Sequence, residues 1–241
     1  MLKLQGRIAV VTGGSKGIGK AIAHGLAREG SDVALCARSL DELKRAEKEI
    51  LRHGNRVISV KADVRKVSDV EKLARTVEQK LGTPTILINN AGVGRFREVM
   101  KMRDEDFQMT LETNLYGVFY TTKAFLPGMI HKKEGHIINI ASLAGKNSFA
   151  GGSAYCSSKH ALISFSECLM LEVRQHNIKV TAICPGTVQT TFGDMNPHEK
   201  MWALTSEDVA KAVVDVLTSS SGSLTSMVDL RPLHPPHKRC G

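Results

Sequence analysis

The sequence Arg7-Ile-Ala-Val-Val-Thr12-Gly13-Gly14-Ser15-Lys16-Gly17-Ile18-Gly19 joins a short apolar segment to a glycine-rich loop. Residues 7–12 are rich in β-branched side chains, which is typical of a strand buried on both faces. Residues 20–28 continue with an amphipathic helical pattern. Glycines between a strand and a helix let the backbone approach a pyrophosphate, and the helix N-terminus offers free N–H groups. A glycine-rich turn alone is weak evidence, but its position after a strand favours nucleotide binding.

Apolar segments and helical patterns alternate through the rest of the chain. The predicted strands are residues 7–12, 32–36, 56–61, 85–89, 136–140, 178–183 and 227–230. The predicted helices between them are residues 20–28, 40–51, 67–81, 104–130 (interrupted near Leu111), 152–175 and 207–217. This alternation predicts an α/β, doubly wound Rossmann fold whose sheet of about seven parallel strands carries helices on both faces. We expect one domain over residues 1–241, with an irregular tail from about residue 232.

Composition excludes several classes of protein. The net charge is +9, but the Lys and Arg residues are dispersed, so solvated helix faces explain them better than a nucleic-acid site. The five cysteines are odd in number and form no Cys-x-x-Cys pair, which favours reduced thiols in the cytoplasm. No apolar run approaches the ~20 residues that a membrane helix needs. The first residues lead directly into a strand, without the pattern of a signal peptide. We find no Cys/His spacing typical of a metal site, and expect no metal.

Tyr155 and Lys159 lie four residues apart in a predicted helix, so their side chains share one face. An ammonium beside a phenol favours the phenolate, so we expect Lys159 to lower the pKa of Tyr155. A tyrosine tuned in this way can exchange protons with a substrate. Ser142, after the fifth strand, could direct its hydroxyl at the same substrate oxygen. Taken alone, this spacing is usually an ordinary surface pair.

Further motifs give the chain its resemblance to the short-chain dehydrogenase/reductase family. Thr12-Gly13-x-x-x-Gly17-x-Gly19 is similar to the family's cofactor loop, and Asn89-Asn90-Ala91-Gly92 to its motif after the fourth strand. The resemblance covers nearly the whole chain, in family order. It implies a catalytic tetrad of Asn114, Ser142, Tyr155 and Lys159, with Asn114 holding a water that links Lys159 to solvent. It also implies a cofactor site of Gly13, Ser15, Lys16, Gly17, Ile18, Gly19, Arg38, Ser39, Asp63, Val64, Asn90, Ala91, Gly92, Tyr155, Lys159, Pro185, Gly186, Val188 and Thr190.

The end of the second strand predicts which nicotinamide cofactor is used. In NAD-preferring Rossmann proteins an acidic residue there holds the ribose 2′-hydroxyl. Ala37 occupies that position, and Arg38 and Ser39 follow. Arg38 can bind a 2′-phosphate through charge-assisted hydrogen bonds, and Lys16 can add a second positive charge. The alternative is that both are ordinary solvated residues. We predict NADP(H).

The family resemblance implies hydride transfer between the cofactor and a carbonyl or alcohol, with Tyr155 as acid or base. We expect reduction of a ketone, aldehyde or 3-oxoacyl group. An alcohol, polyol or hydroxysteroid dehydrogenase working oxidatively is the main alternative, and a non-catalytic cofactor sensor a remote one. Arg95 and Arg97 could attract an anionic substrate, but solvated loop residues are the simpler interpretation. The expected substrate site comprises Gly94, Ser142, Leu143, Phe149, Phe192 and Trp202, with Met195 and Met201 able to extend the apolar wall.

The resemblance also implies association of the chain with itself. Members of the family commonly form homodimers or homotetramers through the long helices predicted at residues 104–130 and 152–175. The other expected partner is the small-molecule substrate, and we expect neither a nucleic-acid nor a membrane partner.

Overall fold

Strands and helices alternate along the chain except between β4 and β5, where two helices follow each other. The computed structural model describes residues 2–193, 202–220 and 222–234. The strands are β1 (Ile8–Thr12), β2 (Asp32–Ala37), β3 (Val57–Lys61), β4 (Ile86–Asn89), β5 (Gly135–Ile140), β6 (Ile178–Pro185) and β7 (Met227–Leu230). The helices are α1 (Gly17–Arg28), α2 (Leu40–Ile50), α3 (Val67–Lys80), α4 (Asp104–Leu111), α5 (Gly117–Lys132), α6 (Ser153–Val173) and α7 (Ser206–Leu217).

The seven strands form one parallel sheet, as predicted, and their order is β3-β2-β1-β4-β5-β6-β7. The chain reverses its direction of winding between β1 and β4, and ligands of such sheets bind beside this reversal, at the carboxyl ends of the strands. Three strands are longer than the sequence predicts, and β5 gains only its first residue, Gly135. Ala37 pairs with Lys61 and Pro185 with Leu230, so β2 and β6 continue to the edge where the glycine loop lies.

Helices cover both faces of the sheet, which confirms the doubly wound arrangement. On one face, α1, α2 and α7 pack Ile22, Leu43 and Val213 against the sheet. On the other face, α3, α5 and α6 contribute Leu73, Val77, Phe125, Met129, Leu169 and Val173. Alternate residues of β1 face the two layers, which is why this strand is apolar throughout.

The helical region predicted at residues 104–130 has an irregular centre. A π-helical turn, Glu112–Tyr116, joins α4 to α5, beginning one residue after the predicted interruption near Leu111. Such a turn adds one residue to the helical repeat and changes the direction of the side chains within it. Thr113 and Asn114 are buried as a result.

A series of uncharged polar side chains, here called the amide ladder, connects the middle of the sheet to α5 and α6. Nδ2 of Asn89 donates to Oδ1 of Asn139 at 2.9 Å, linking β4 to β5. The hydroxyl of Thr121 donates to Oδ1 of Asn89 at 2.7 Å, and Nδ2 of Asn139 donates to Oγ of Ser166 at 2.8 Å. All four residues are buried, where satisfied hydrogen bonds specify one arrangement.

Two further features bear on the cellular setting of the protein. Cys36, Cys156, Cys168 and Cys184 are free thiols, and Cys240 lies outside the described residues, as do residues 235–241 of the predicted tail. Within the described part of the chain, no helix combines the length and apolar character required to cross a bilayer.

Candidate active site

The glycine loop lies at the carboxyl end of β1 and is held by the segment after β4. The backbone N–H groups of Asn90 and Ala91 both donate to Oγ1 of Thr12 at 3.0 Å. Nδ2 of Asn90 donates to the carbonyl oxygens of Thr12 at 2.9 Å and Gly13 at 3.2 Å. A Cβ atom on Gly13 would lie 2.8 Å from this Nδ2, so only glycine fits the position.

The N-terminus of α1 is suited to an anion. Within the described residues, no side chain caps this helix and its first turn contains no acidic residue. By contrast, Ser39 caps α2, and Thr205 with Asp208 forms a capping box on α7. The unpaired N–H groups of α1 and its positive dipole end therefore face the glycine loop without a competing carboxylate from the helix itself.

A carboxylate from α2 does reach the loop, which the sequence analysis did not predict. Oγ of Ser15 donates to Oε2 of Glu42 at 3.1 Å, and Nζ of Lys16 lies 3.5 Å from Oε1 of the same side chain. The only sequence signal for this contact is the placement of an acid in the first turn of α2. Glu42 lies five residues beyond the Ala37 position at which an acid is expected in NAD-preferring proteins.

At the adenosine end, Asp63 and Val64 follow β3, and Arg65 holds Asp63. Nε of Arg65 donates to both carboxylate oxygens of Asp63, at 3.0 and 3.1 Å. These hydrogen bonds are the largest cause of a pKa of Asp63 below its usual value, and the positive charge of Arg38 lowers that pKa further. Asp63 is therefore an ionised acceptor at neutral pH, oriented by a neighbour that the motif analysis did not identify.

Tyr155 and Lys159 share one face of α6, as their spacing predicts. Nζ of Lys159 lies 5.8 Å from the centroid of the Tyr155 ring and donates to the carbonyl oxygen of Ile140 at 2.7 Å. Ser142, directly after β5, accepts a hydrogen bond from the backbone N–H of Ala144 at 3.1 Å and donates to the carbonyl oxygen of Pro185 at 3.4 Å. The three side chains line one cavity.

The expected effect of Lys159 on the Tyr155 pKa is wrong for this structure. Burial raises the pKa of Tyr155 to about 12, and its contact with the Ser142 hydroxyl opposes this only in part. Burial also lowers the pKa of Lys159 to about 8. Lys159 directs its hydrogen bond to the Ile140 carbonyl, and the cost of a buried charge outweighs attraction between the two groups. In the free protein the phenol keeps its proton at neutral pH.

Asn114 lies behind the cavity wall. It is fully buried in the π-helical turn, where Nδ2 donates to the carbonyl oxygen of Val93 at 2.9 Å and to Oγ of Ser158 at 3.0 Å. Its Oδ1 accepts the backbone N–H of Val93 at 2.8 Å. A Cβ atom on Gly92 would lie 3.3 Å from this Oδ1 and 3.9 Å from Nζ of Lys159, so Asn114 and Lys159 flank the Gly92 backbone.

Aromatic rings surround Tyr155 on the substrate side. The Tyr155 ring centroid lies 5.5 Å from that of Phe96 and 5.5 Å from that of Phe192, and Phe96 also packs against Phe149 at 5.9 Å. A Cβ atom on Gly94 would meet Phe96 and Phe192 at 2.6–2.9 Å, so this residue leaves room for both rings. We call Phe96, Phe149 and Phe192 the aromatic wall.

The two arginines that follow Gly94, and the remaining residues predicted for the substrate site, differ in their positions. Nε of Arg95 lies 3.5 Å from Oδ1 of Asp106, and Nη1 of Arg97 donates to the carbonyl oxygen of Phe96 at 2.8 Å. Leu143 and Trp202 line the cavity. Met195 and Met201 lie outside the described residues, which leave out 194–201.

The cavity encloses about 1680 Å³ and runs from the glycine loop to the aromatic wall. Every predicted cofactor and substrate residue that the structure describes lines it, whereas Asn114 does not. This volume exceeds the roughly 300–1,000 Å³ of a typical small-ligand site, which leaves room for a dinucleotide and a substrate together. The last wall of the cavity carries no motif that predicts its role, and is formed by Arg231, Pro232, Leu233 and His234.

The residues present fit a nicotinamide dinucleotide. The uncapped α1 terminus and the glycine cradle suit the pyrophosphate, and the ionised Asp63 suits an adenine amino group. Within residues 2–193, 202–220 and 222–234, no group of three or more His, Cys, Asp or Glu side chains is placed to hold a metal ion.

Comparisons with known proteins match most of the chain. The family model described as short chain dehydrogenase matches residues 7–201. Oxidoreductase UcpA of Salmonella typhimurium is 37% identical over 219 residues, covering 88% of this chain and 82% of that protein. Sepiapterin reductase of Chlorobaculum tepidum is 32% identical over 233 residues, covering 93% of this chain and 96% of that protein.

Solved structures show the same architecture with either cofactor. An alcohol dehydrogenase from the archaeon Thermococcus sibiricus, complexed with 5-hydroxy-NADP, superposes with a TM-score of 0.90 at 31% identity, covering 95% of this chain and 97% of that one. A xylitol dehydrogenase bound to NAD⁺ superposes with a TM-score of 0.87 at 28% identity, covering 95% of this chain and 99% of that one. Similarity of fold therefore leaves the choice between NAD and NADP to individual residues.

Proposed function

Because the chain belongs to the short-chain dehydrogenase family, we propose that this oxidoreductase uses NADP(H) to reduce a ketone, aldehyde or 3-oxoacyl group. The observation that carries the proposal is the position of the Tyr155 phenol. It lies with Ser142 and Lys159 in the wall of a cavity that extends from the glycine loop to the aromatic wall. A carbonyl group there would have a proton donor beside it and apolar surface around its substituents.

The cofactor preference rests on the end of β2. Ala37 places no carboxylate there, and Arg38 is an exposed guanidinium on the cavity wall, beside Ser39 and opposite Lys16. Guanidinium groups match the geometry of phosphate oxygens. The glycine loop and α1 would hold the pyrophosphate, and Asn90, Ala91, Gly92, Pro185, Gly186, Val188 and Thr190 would enclose the nicotinamide end. The alcohol dehydrogenase complexed with 5-hydroxy-NADP supports the same preference.

When bound, the reduced cofactor supplies the hydride that is transferred to the carbonyl carbon. Tyr155 gives its proton to the carbonyl oxygen, a role that suits a phenol whose pKa of about 12 keeps it protonated. Ser142 donates a hydrogen bond to the same oxygen and stabilises its developing charge. Lys159 uses one N–H on the Ile140 carbonyl and has others for the ribose hydroxyls. Asn114 acts from behind the wall, because it fixes Val93 and Ser158.

The aromatic wall supports an apolar substrate. Phe96 and Phe192 approach the Tyr155 ring from two directions, and Phe149 extends this surface. Carbonyl compounds with flat or aliphatic substituents bury apolar area there, whereas sugars would leave hydroxyls unpaired against the rings. The sepiapterin reductase among the relatives supports the reductive direction, as does the protonated phenol of Tyr155.

The proposal is tested by NADPH oxidation over a panel of aldehydes, ketones and 3-oxoacyl compounds. Tyr155→Phe is expected to lose turnover while it binds NADPH like the wild type, measured by cofactor fluorescence. Tyr120→Phe, which removes a hydroxyl from α5 away from the cavity, is the matched control and should keep full turnover. Near-normal turnover of Tyr155→Phe would refute the assignment. The oxidative alternative would instead appear as faster NADP⁺ reduction with alcohols or polyols, and a cofactor sensor as binding without turnover.

We also propose that the chain forms a homodimer or homotetramer. Tyr116, Phe119 and Tyr120 form an aromatic patch on α5 and the π-helical turn, in which Tyr116 and Phe119 are exposed and Tyr120 is half-buried. Tyr116 and Tyr120 stack with their centroids 6.3 Å apart, and Tyr116 is 50% and Phe119 43% exposed. Exposed aromatic clusters of this kind favour an interface between subunits.

A cytoplasmic location is part of the same proposal. The described cysteines are free thiols, and three of the four are buried, which suits a reducing compartment. Cell fractionation with an antibody against the protein tests this point, and recovery from an oxidising compartment would contradict it.

A further inference from the structure

Glu42 is an acidic side chain of α2 that lines the cavity and contacts the glycine loop. It is the third residue of α2, and its backbone N–H donates to Oγ of the capping residue Ser39 at 3.4 Å. In a capping box, the acid at this position turns back to the backbone N–H of the cap, as Asp208 does for Thr205 in α7. Glu42 extends in the other direction, to Ser15 and Lys16.

This contact changes the charge that the cavity offers to a 2′-phosphate. Of the two cations proposed for that phosphate, Lys16 is paired with Glu42 at 3.5 Å. Arg38 is exposed, and within the described residues it makes no hydrogen bond or ion pair, although its charge lowers the pKa of Asp63. A 2′-phosphate would therefore meet the available guanidinium of Arg38, the ammonium of Lys16 already paired with Glu42, and the carboxylate of Glu42 itself.

We propose that Glu42 sets the preference between NADPH and NADH by competing with the 2′-phosphate for Lys16. The inference rests on the proposed use of NADP(H) and adds the residue that limits it. NADPH carries a 2′-phosphate, which Glu42 repels and which must draw Lys16 away from it. NADH carries a neutral 2′-hydroxyl in the same place, which can donate to a carboxylate. The side chain of Lys16 is 67% exposed, so it can change partners without disturbing packed groups.

The test is the ratio of NADPH affinity to NADH affinity, measured by calorimetry without substrate. Glu42→Gln keeps the size and polarity of the side chain and removes its charge. We expect NADPH to bind about threefold to tenfold more tightly, with NADH changed by less than about twofold. The matched control is Asp41→Asn, which removes the same charge from the preceding exposed residue and should leave the ratio within about twofold of the wild type.

Two further measurements separate competition from a structural role of Glu42. The gain should shrink at high salt, because exposed charges are screened. It should also shrink in the Lys16→Met background, where Arg38 remains but the lysine for which Glu42 and the phosphate compete is gone. Equal tightening of both cofactors, a fall in the ratio, or a gain that Lys16→Met leaves intact would overturn the inference.

A failure of the proposed cofactor preference can be recognised separately. If the wild type binds NADH as tightly as NADPH, the proposed NADP(H) preference fails, while the change in ratio caused by Glu42→Gln still measures the role of Glu42. If the wild type prefers NADPH and Glu42→Gln leaves the ratio unchanged, only the inference about Glu42 fails. Adenosine 2′-phosphate serves as a probe without nicotinamide, and it should show the same gain as NADPH.

Discussion

Lys159 donates its hydrogen bond to the carbonyl oxygen of Ile140, with 2.7 Å between Nζ and O. The bond ties the middle of α6 to the last residue of β5, the strand that leads into Ser142. It also fixes the ammonium where burial lowers its pKa to about 8. The spacing of Tyr155 and Lys159 along α6 places the two side chains on one face of the helix. The carbonyl group at the end of β5 accepts the hydrogen bond of the lysine.

The buried ammonium of Lys159 should make its contribution to the free energy of unfolding of the free protein more favourable as the pH rises from about 8 towards 9.5. The unfolded chain holds this proton up to a pKa of about 10.4, and the folded chain only to about 8, so the unfolded state binds more protons in this window. The gain approaches about 3 kcal/mol at its limit. In urea denaturation, the wild type should gain stability relative to Lys159→Met across this window, and the exposed control Lys72→Met should follow the wild type. The raised pKa of the buried Cys36 thiol lowers the stability of all three proteins alike at the upper end of the window, so the difference between proteins measures the lysine. Identical pH profiles for all three proteins would contradict it.

Replacement of Arg38 by alanine should weaken NADPH binding by about 10- to 100-fold, because charge-assisted hydrogen bonds to the 2′-phosphate are lost. NADH lacks that phosphate, so its affinity should change by less than about threefold. Fluorescence titration of both cofactors measures the difference. Arg75→Ala, on the exposed side of α3, is a control for the loss of one positive charge. An equal loss of affinity for both cofactors would assign Arg38 to the loop structure instead.

Asn114→Ala should destabilise the protein by about 1–3 kcal/mol, because it removes the side-chain partners of the partly buried backbone N–H and C=O of Val93. Turnover should fall as well, since Val93 follows the motif that lines the cavity. Chemical denaturation and kcat are the two measurements. Gln108→Ala, exposed on the adjoining α4, should stay within about 0.5 kcal/mol of the wild type. A stable Asn114→Ala protein with normal turnover would show that the π-helical turn does not depend on this amide.

Phe119→Glu should dissociate the proposed oligomer, because it places a charge in the centre of the aromatic patch. Sedimentation velocity at several protein concentrations distinguishes monomer from dimer and tetramer. Leu51→Glu makes the same kind of change at another exposed apolar residue, 45% exposed, and should leave the assembly intact. A wild-type protein that is monomeric at all concentrations would refute the interface.

The sequence predicted the elements of the fold because each depends on local patterns. Apolar β-branched runs, the glycine loop and the helical stripes all lie within a few residues of one another. The contacts that it did not predict join distant segments: Glu42 reaches 27 residues back to Ser15, and Asn114 lies 21 residues from Val93. The π-helical turn that holds Asn114 depends on such tertiary contacts rather than on the helix propensity of its residues. The predicted lowering of the Tyr155 pKa was wrong for the same reason, because the burial that raises this pKa arises only in the folded site.

The amide ladder has a consequence for enzymology. None of the side chains of Asn89, Asn139, Thr121 and Ser166 titrates, so we expect the hydrogen bonds that hold α5 and α6 to the sheet to persist across the pH range in which the protein is folded. Kinetic profiles recorded across a broad pH range will therefore report the ionisation of groups in the cavity rather than movement of the helices that carry them.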